Sequence, residues 1–134
     1  MHLLKTYIVE DSPVIREDLI ATLEELASVT VVGTAADELS AVHWLSDAKH
    51  TVDLVIVDIF LNSGSGLGVL RALDQRRSQA TRIVVFSNFA TPDVRRRCLD
   101  LGADKVFDKS HDIDALMLYC RGLADGARVD SVPG

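Results

Sequence analysis

Five short runs of apolar, largely β-branched residues alternate with five longer stretches of helical spacing, and no other feature narrows the possible folds so far. The runs are Tyr7-Ile8-Val9, Val29 to Val32, Leu54 to Val57, Ile83 to Phe86 and Val106-Phe107. The longer stretches cover 13–27, 37–48, 66–77, 92–101 and 112–124. In the first of them Ile15, Leu19, Leu23 and Leu26 recur at steps that place them on one helical stripe. Ser12-Pro13 supplies an N-cap followed by proline at the first helical position. Gly33 is placed beside the second strand, and Gly102 stops the fourth helix. Strands alternating with helices in this way predict an α/β fold, a parallel sheet covered on both faces. The run from Asp53 through Leu54, Val55, Ile56 and Val57 to Asp58 fits its centre, because a central parallel strand is apolar on both sides until its carboxyl end.

With 134 residues the chain is the size of one domain, read as 1–125 with a short, flexible tail at 126–134. A chain of this length buries roughly two-thirds of its unfolded surface, enough for a core without staples. Cys98 and Cys120 show no framework spacing and are read as reduced packing thiols. The first residues are not those of a signal peptide, and no run reaches the length of a membrane span, so a cytoplasmic location is expected. A formal charge of −6 argues against nucleic-acid binding by this domain. Arg95-Arg96-Arg97 is the one basic cluster, and its members point about 100° apart on a helix, which reads as a solvated face. Arg95 or Arg96, beside Lys105 and Phe107, is the sharper candidate for a partner face. His2, His43, His50 and His111 lack metal-ligand spacing, and Gly64, Gly66 and Gly68 lack the lysine of a phosphate-binding loop. Val42 and Trp44 read as packing on the second helix.

Ligands of open parallel sheets bind at the carboxyl ends of the strands. Here the first strand ends in Glu10-Asp11, the third in Asp58, the fourth in Ser87, and the fifth approaches Lys109. Three carboxylates, a hydroxyl and an ammonium therefore meet at one edge. Clustered carboxylates repel one another, and a hard divalent cation such as Mg²⁺ resolves the repulsion through oxygen ligands. Phosphoryl chemistry is the natural use of such a site: cation and Lys109 neutralise the transferring group while a carboxylate attacks it. Asp58, which closes the central strand, is the candidate nucleophile, with Glu10 and Asp11 holding the metal.

These residues, in this order and spacing, resemble the receiver domains of two-component response regulators over about residues 4–124. The resemblance rests on Glu10-Asp11, on the strand ending at Asp58 with Ser65-Gly66-Leu67 beyond it, on Ser87, and on Gly102-Ala103-Asp104 leading to Phe107 and Lys109. It implies a flavodoxin-like sheet of order 2-1-3-4-5 with five helices on both faces. It implies Asp58 as phosphoacceptor, and Glu10, Asp11, Asp58 and the backbone carbonyl of Phe60 as Mg²⁺ ligands. It also implies Ser87 as the hydroxyl that moves to the phosphoryl group, Phe107 as the aromatic that turns with it, and Lys109 as the phosphate-pairing ammonium. The implied donor is a sensor histidine kinase or phosphotransfer protein. The implied output is an unknown protein bound through the fourth helix, fifth strand and fifth helix.

The chain departs from the family pattern in three places. Ser110 replaces the proline that usually follows the lysine; a cis bond there would cost about 2.5–4 kcal/mol, so Lys109–Ser110 is predicted trans. Asn88 replaces a small residue after the hydroxyl and either crowds the phosphoryl site or hydrogen-bonds to it. The loop from Leu61 to Gly66 lacks a proline and is expected to be looser. In the geometry that the resemblance implies, Phe60 and Phe89 flank the mouth of the site and offer no polar group to orient water, which predicts slow loss of the phosphoryl group.

The leading reading is a stand-alone, chemotaxis-regulator-like phospho-switch that is not an enzyme beyond assisting its own phosphorylation and dephosphorylation. A receiver fragment of a DNA-binding regulator would look the same. A small aspartate-dependent phosphatase would carry a second aspartate where Phe60 stands. A pseudo-receiver, binding partners without phosphorylation, is kept open by Asn88 and Ser110.

Overall fold

The computed structural model describes residues 3–74, 80–88 and 90–129. Leu54–Val57 forms strand β3, buried at all four positions, and lies between β1 (Leu4–Val9) and β4 (Arg82–Ser87). Strands β2 (Val29–Ala35) and β5 (Lys105–Asp108) complete a parallel sheet of order β2-β1-β3-β4-β5. Five helices alternate with them: α1 (Pro13–Leu26), α2 (Glu38–Leu45), α3 (Gly66–Asp74), α4 (Pro92–Asp100) and α5 (Ile113–Val129).

Side chains alternate across each strand, so the sheet divides the core in two. Ile8, Leu54, Ile56, Val84 and Phe86 pack with Leu19 and Leu23 of α1 and Leu116 and Cys120 of α5. Val9, Val55, Val57, Ile83 and Val85 pack with Ala41 of α2, Val69 and Leu70 of α3 and Cys98 of α4. The two cysteines are free and buried on opposite faces, and burial pushes the Cys120 thiol up to about 12. They are packing groups, as the sequence suggested.

Local signals place the helices. Ser12 Oγ accepts from Ile15 N–H and Thr91 Oγ1 from Val94 N–H, each ahead of a proline at the first helical position. Gly102, at φ +103°, closes α4 with two reverse bonds, Ala103 N–H to Cys98 O and Gly102 N–H to Leu99 O, both 3.0 Å. The Lys109–Ser110 bond is trans, as there is no cis peptide among the described residues.

Several boundaries differ from expectation. Gly33 lies within β2, at a bulge where Tyr7 pairs with Gly33 after Thr6 pairs with Val31. An added Cβ there would sit 2.9 Å from the Tyr7 ring, so the glycine makes room for an aromatic stack of Tyr7 on Trp44. Helix α2 is shorter than 37–48: Asp37 is its cap, and Ser46 Oγ turns back onto the Val42 carbonyl. Of the α1 stripe only Leu19 and Leu23 are buried, because Ile15 and Leu26 lie at the helix ends, where sheet cover runs out. Helix α5 continues to Val129, past the suggested start of the tail at 126. Helix α3 is described to Asp74, and its expected extension to 77, like residues 130–134, lies outside the described residues. No helix among the described residues is long and apolar enough to cross a membrane.

Candidate functional site

Parallel register brings the strand ends together. Val9 pairs with Val57, Val57 with Val85, and Ser87 with Asp108, so Glu10, Asp58, Ser87 and Lys109 leave the sheet side by side. Backbone bonds fix them: Asp58 N–H donates to Val9 O at 3.0 Å, Glu10 N–H to Ala35 O at 2.9 Å, and Lys109 N–H to Ser87 O at 3.2 Å.

Each oxygen of the buried Asp58 carboxylate has its own charged or polar partner. Ser87 Oγ donates to Oδ1 at 2.7 Å, joined by the Phe60 N–H at 3.2 Å. Lys109 Nζ donates to Oδ2 at 2.7 Å and also to Glu10 Oε1. Glu10 Oε2 accepts from Ser12 N–H at 3.0 Å, and Arg16 donates to the Glu10 carbonyl at 2.9 Å. Asp11 is less buried, and its Oδ2 accepts from Asn62 N–H at 2.7 Å. The site therefore gathers all five residues that the strand ends suggested.

One ammonium serves two carboxylates in a desolvated place. Burial pushes the Glu10 carboxyl above its usual range; the Lys109 and Ser12 hydrogen bonds only partly offset this, and the Asp58 charge adds to it. For Lys109, burial alone would favour the neutral amine, but the bonds to Asp58 and Glu10 outweigh it and hold the ammonium above its ordinary value. Carboxylate oxygens of Glu10, Asp11 and Asp58 lie within 4.8 Å of one another, the one such acidic group among the described residues. Three carboxylates this close are the hard oxygen donors that Mg²⁺ takes, so the residues present suit that ion.

The remaining candidates have mixed placements. Phe107 is half-buried, its ring edge-on to Tyr119 at 5.8 Å on the α1–α5 side of the sheet. Phe60 is 52% exposed, and its backbone forms a bridge to Ser65. Phe89 lies outside the described residues. Asn88 does not turn to Asp58: its Oδ1 accepts from Ser110 Oγ at 2.9 Å, so two departures from the family pattern bond to each other. Arg95 is committed within the fold, its guanidinium donating to Ala90 O at 3.3 Å and Val106 O at 3.1 Å, while Arg96 and Arg97 are exposed. His43, His50 and His111 are exposed, and His50 stacks on Trp44 at 3.8 Å.

Two contributors were not foreseen. Asn62 supplies the amide that holds Asp11, and Glu38 reaches from α2 to the loop after Asp58, with Ser65 N–H donating to its Oε1 at 2.9 Å. For Glu38 the available signal was the glycine spacing at 64 and 68, which marks close approach by another group.

A five-stranded sheet of this order, carrying two acidic residues, a strand-end aspartate, a hydroxyl and a lysine at one edge, defines the receiver class. The chain belongs to the response regulator receiver domain family of two-component systems, whose sequence profile matches residues 6–121. The nitrate/nitrite response regulator protein NarP of Escherichia coli is 31% identical over 92% of this chain and 56% of its own length. The transcriptional regulatory protein YvfU of Bacillus subtilis is 28% identical over 96% of this chain and 63% of its own. The chain thus spans little more than half the length of these relatives. Among solved structures, the response regulator domain of Thermotoga maritima CheB has a TM-score of 0.79 at 21% identity, covering 92% of this chain and 98% of that one, a likeness of fold.

Proposed function

We propose that the chain is a phosphorylation switch in which Asp58 accepts a phosphoryl group from a histidine kinase or phosphotransfer protein. The observation that carries this reading is the division of the Asp58 carboxylate between two donors, Lys109 on one oxygen and Ser87 on the other. An Asp58 oxygen attacks the phosphorus in line, the bond to the donor nitrogen breaks with its electron pair, and an aspartyl phosphate forms. Lys109 and Ser87 are placed to pass from the carboxylate to the oxygens of the arriving group, and so to follow the charge as it moves. Glu10, Asp11, Asp58 and the Phe60 carbonyl would hold a Mg²⁺ ion, which supplies further neutralisation of the phosphoryl oxygens. The bond from Ser87 to Asp58 then reports phosphorylation to the β4–α4 loop. Phe107, one strand over, links that change to the face formed by α4, β5 and α5, where the downstream protein is read. Such a switch acts in the cytoplasm and has no enzymatic turnover of its own beyond gaining and losing its phosphoryl group.

The test is incubation with a small-molecule phosphodonor and Mg²⁺, following the mass of the wild type and of Asp58→Ala. A metal-dependent gain of one phosphoryl group, absent from the variant, is the expected result. No gain in wild type, even with a competent histidine kinase, would reject the reading in favour of a pseudo-receiver. A second reading concerns output: this chain covers only 63% and 56% of the lengths of the named regulators that it matches, which favours a receiver segment of a DNA-binding regulator over a stand-alone switch.

A further inference from the structure

The loop after Asp58 is the least constrained part of the site by composition. Ser63, Gly64, Ser65, Gly66 and Gly68 leave its backbone with many conformations to lose. In the structure it is held by side chains at two points. Asp11 Oδ2 accepts from Asn62 N–H, and Glu38 Oε1 accepts from Ser65 N–H. The second hold is built with care on both sides. Asp37 caps α2 by accepting from Ser40 N–H at 2.7 Å, which frees the Glu38 carboxylate for a neighbouring element. Glu38 N–H donates back to Ser63 O at 3.3 Å, so main chain and side chain of one residue grip the same loop.

The glycines fit this grip. A Cβ on Gly64 would lie 2.5 Å from Glu38 Cβ, and one on Gly68 would lie 2.1 Å from Glu38 Oε2. Gly64 also has φ +78°, a conformation that side-chain-bearing residues rarely adopt. The carboxylate therefore lies against the first turn of α3, where it also meets the positive end of the helix dipole. Ser65 itself caps that helix, its Oγ accepting from Leu67 N–H at 3.0 Å, and it pairs with Phe60 across the loop.

The two holds differ in one respect. Asp11 is a ligand in the proposed cation site, so turning it toward an ion draws its oxygen away from Asn62. Glu38 has no such second duty. We infer that Glu38 is a positioning residue for the cation site, anchoring the 60–65 loop through the Ser65 amide so that the Phe60 carbonyl is set before the ion arrives. This inference rests on the proposed cation site, which the same experiment examines separately.

The experiment titrates Mg²⁺ alone into wild type, Glu38→Ala and Glu38→Gln, following backbone amide shifts at Asp58 and Phe60 and exchange of the Ser65 amide in chelator. Glutamine keeps an oxygen acceptor without the charge. The expected result is wild-type binding, roughly tenfold weaker binding in Glu38→Ala, as for other groups that orient ligands, and near-wild-type binding in Glu38→Gln. The Ser65 amide should lose protection in the alanine variant even without metal, while Val55 in the core keeps its own. Unchanged Mg²⁺ affinity in Glu38→Ala overturns the inference and leaves the cation site standing. Equal weakening by alanine and glutamine overturns it too, since charge and not the hydrogen bond would then be at work. No Mg²⁺ shifts in wild type reject the cation site itself, and the inference with it.

Discussion

Replacing Lys109 with methionine tests the electrostatics of the site while leaving Asp58 in place. The ammonium bonds to Glu10 and Asp58, whose side chains are only 3% and 7% exposed. Methionine fills much of the same space but leaves two carboxylates facing each other with little water. Breaking a buried ion pair by removing one partner costs about 3–5 kcal/mol. At roughly 4 °C per kcal/mol for a domain of this size, Tm should fall by about 12–20 °C in chelator. Mg²⁺ replaces the missing positive charge, and at a hundredfold excess over its Kd it should return about 2.7 kcal/mol. Melting curves with chelator and with Mg²⁺, on wild type, Lys109→Met and Lys109→Met with Asp58→Asn, separate these effects. The double variant removes one of the two charges and should recover part of the loss, a non-additive result. A Tm for Lys109→Met within about 3 °C of wild type in chelator, under 1 kcal/mol on the same scale, would refute the reasoning.

Other perturbations test the site and its frame. Phe60→Asn, alone and with Phe89→Glu, should shorten the life of the phosphorylated form several-fold, because a polar group at the mouth can orient water; an unchanged half-life by mass spectrometry rejects the role given to the ring. Gly66→Ala should cost about 3 kcal/mol or more, since its Cβ would meet the Asp58 carbonyl at 2.2 Å and Ile59 Cα at 2.7 Å, both backbone that cannot swing aside. Denaturant melts measure that loss, and a near-wild-type midpoint would count against it. Burial, with the Asp37 charge, pushes the Tyr7 hydroxyl from 10.0 up to about 12. Its folded value lies above the unfolded one, so the neutral phenol stabilises fully below pH 10 and that contribution is lost as pH rises toward 12. Tyr7→Phe should therefore lose less stability between pH 9 and 11.5 than wild type in paired urea melts.

The strand ends were readable because each is a change of residue type at a fixed place: apolar residues stop and an acid, hydroxyl or base follows. Glu10, Asp11, Asp58, Ser87 and Lys109 needed only the topology to bring them together. Asn88 and Ser110 stood out singly as departures, but their hydrogen bond joins two loops 22 residues apart and has no periodic signature. Glu38 was missed for a similar reason: the glycines at 64 and 68 mark a close approach without naming the group that makes it, and a glutamate opening a helix is usually read as serving its own helix. Helix α5 ran past Gly126 because apolar side chains such as Leu116, Cys120 and Ala124 dock it to the sheet, and packing outweighs a glycine penalty of about 1 kcal/mol. Arg95 was read for its charge and turned out to be spent on carbonyl oxygens, which pattern cannot reveal.

That use of Arg95 bears on the open edge of the sheet. Strand β5 is the last of the sheet, and an outermost strand offers unpaired backbone to any extended chain that drifts alongside. By holding the Val106 carbonyl, Arg95 fastens α4 over that margin and takes an acceptor an intruding strand would need. At Val106 an added strand would have to displace the guanidinium before it could pair. Any rearrangement that loosened α4 would release the Val106 carbonyl at that edge and change the neighbouring face together.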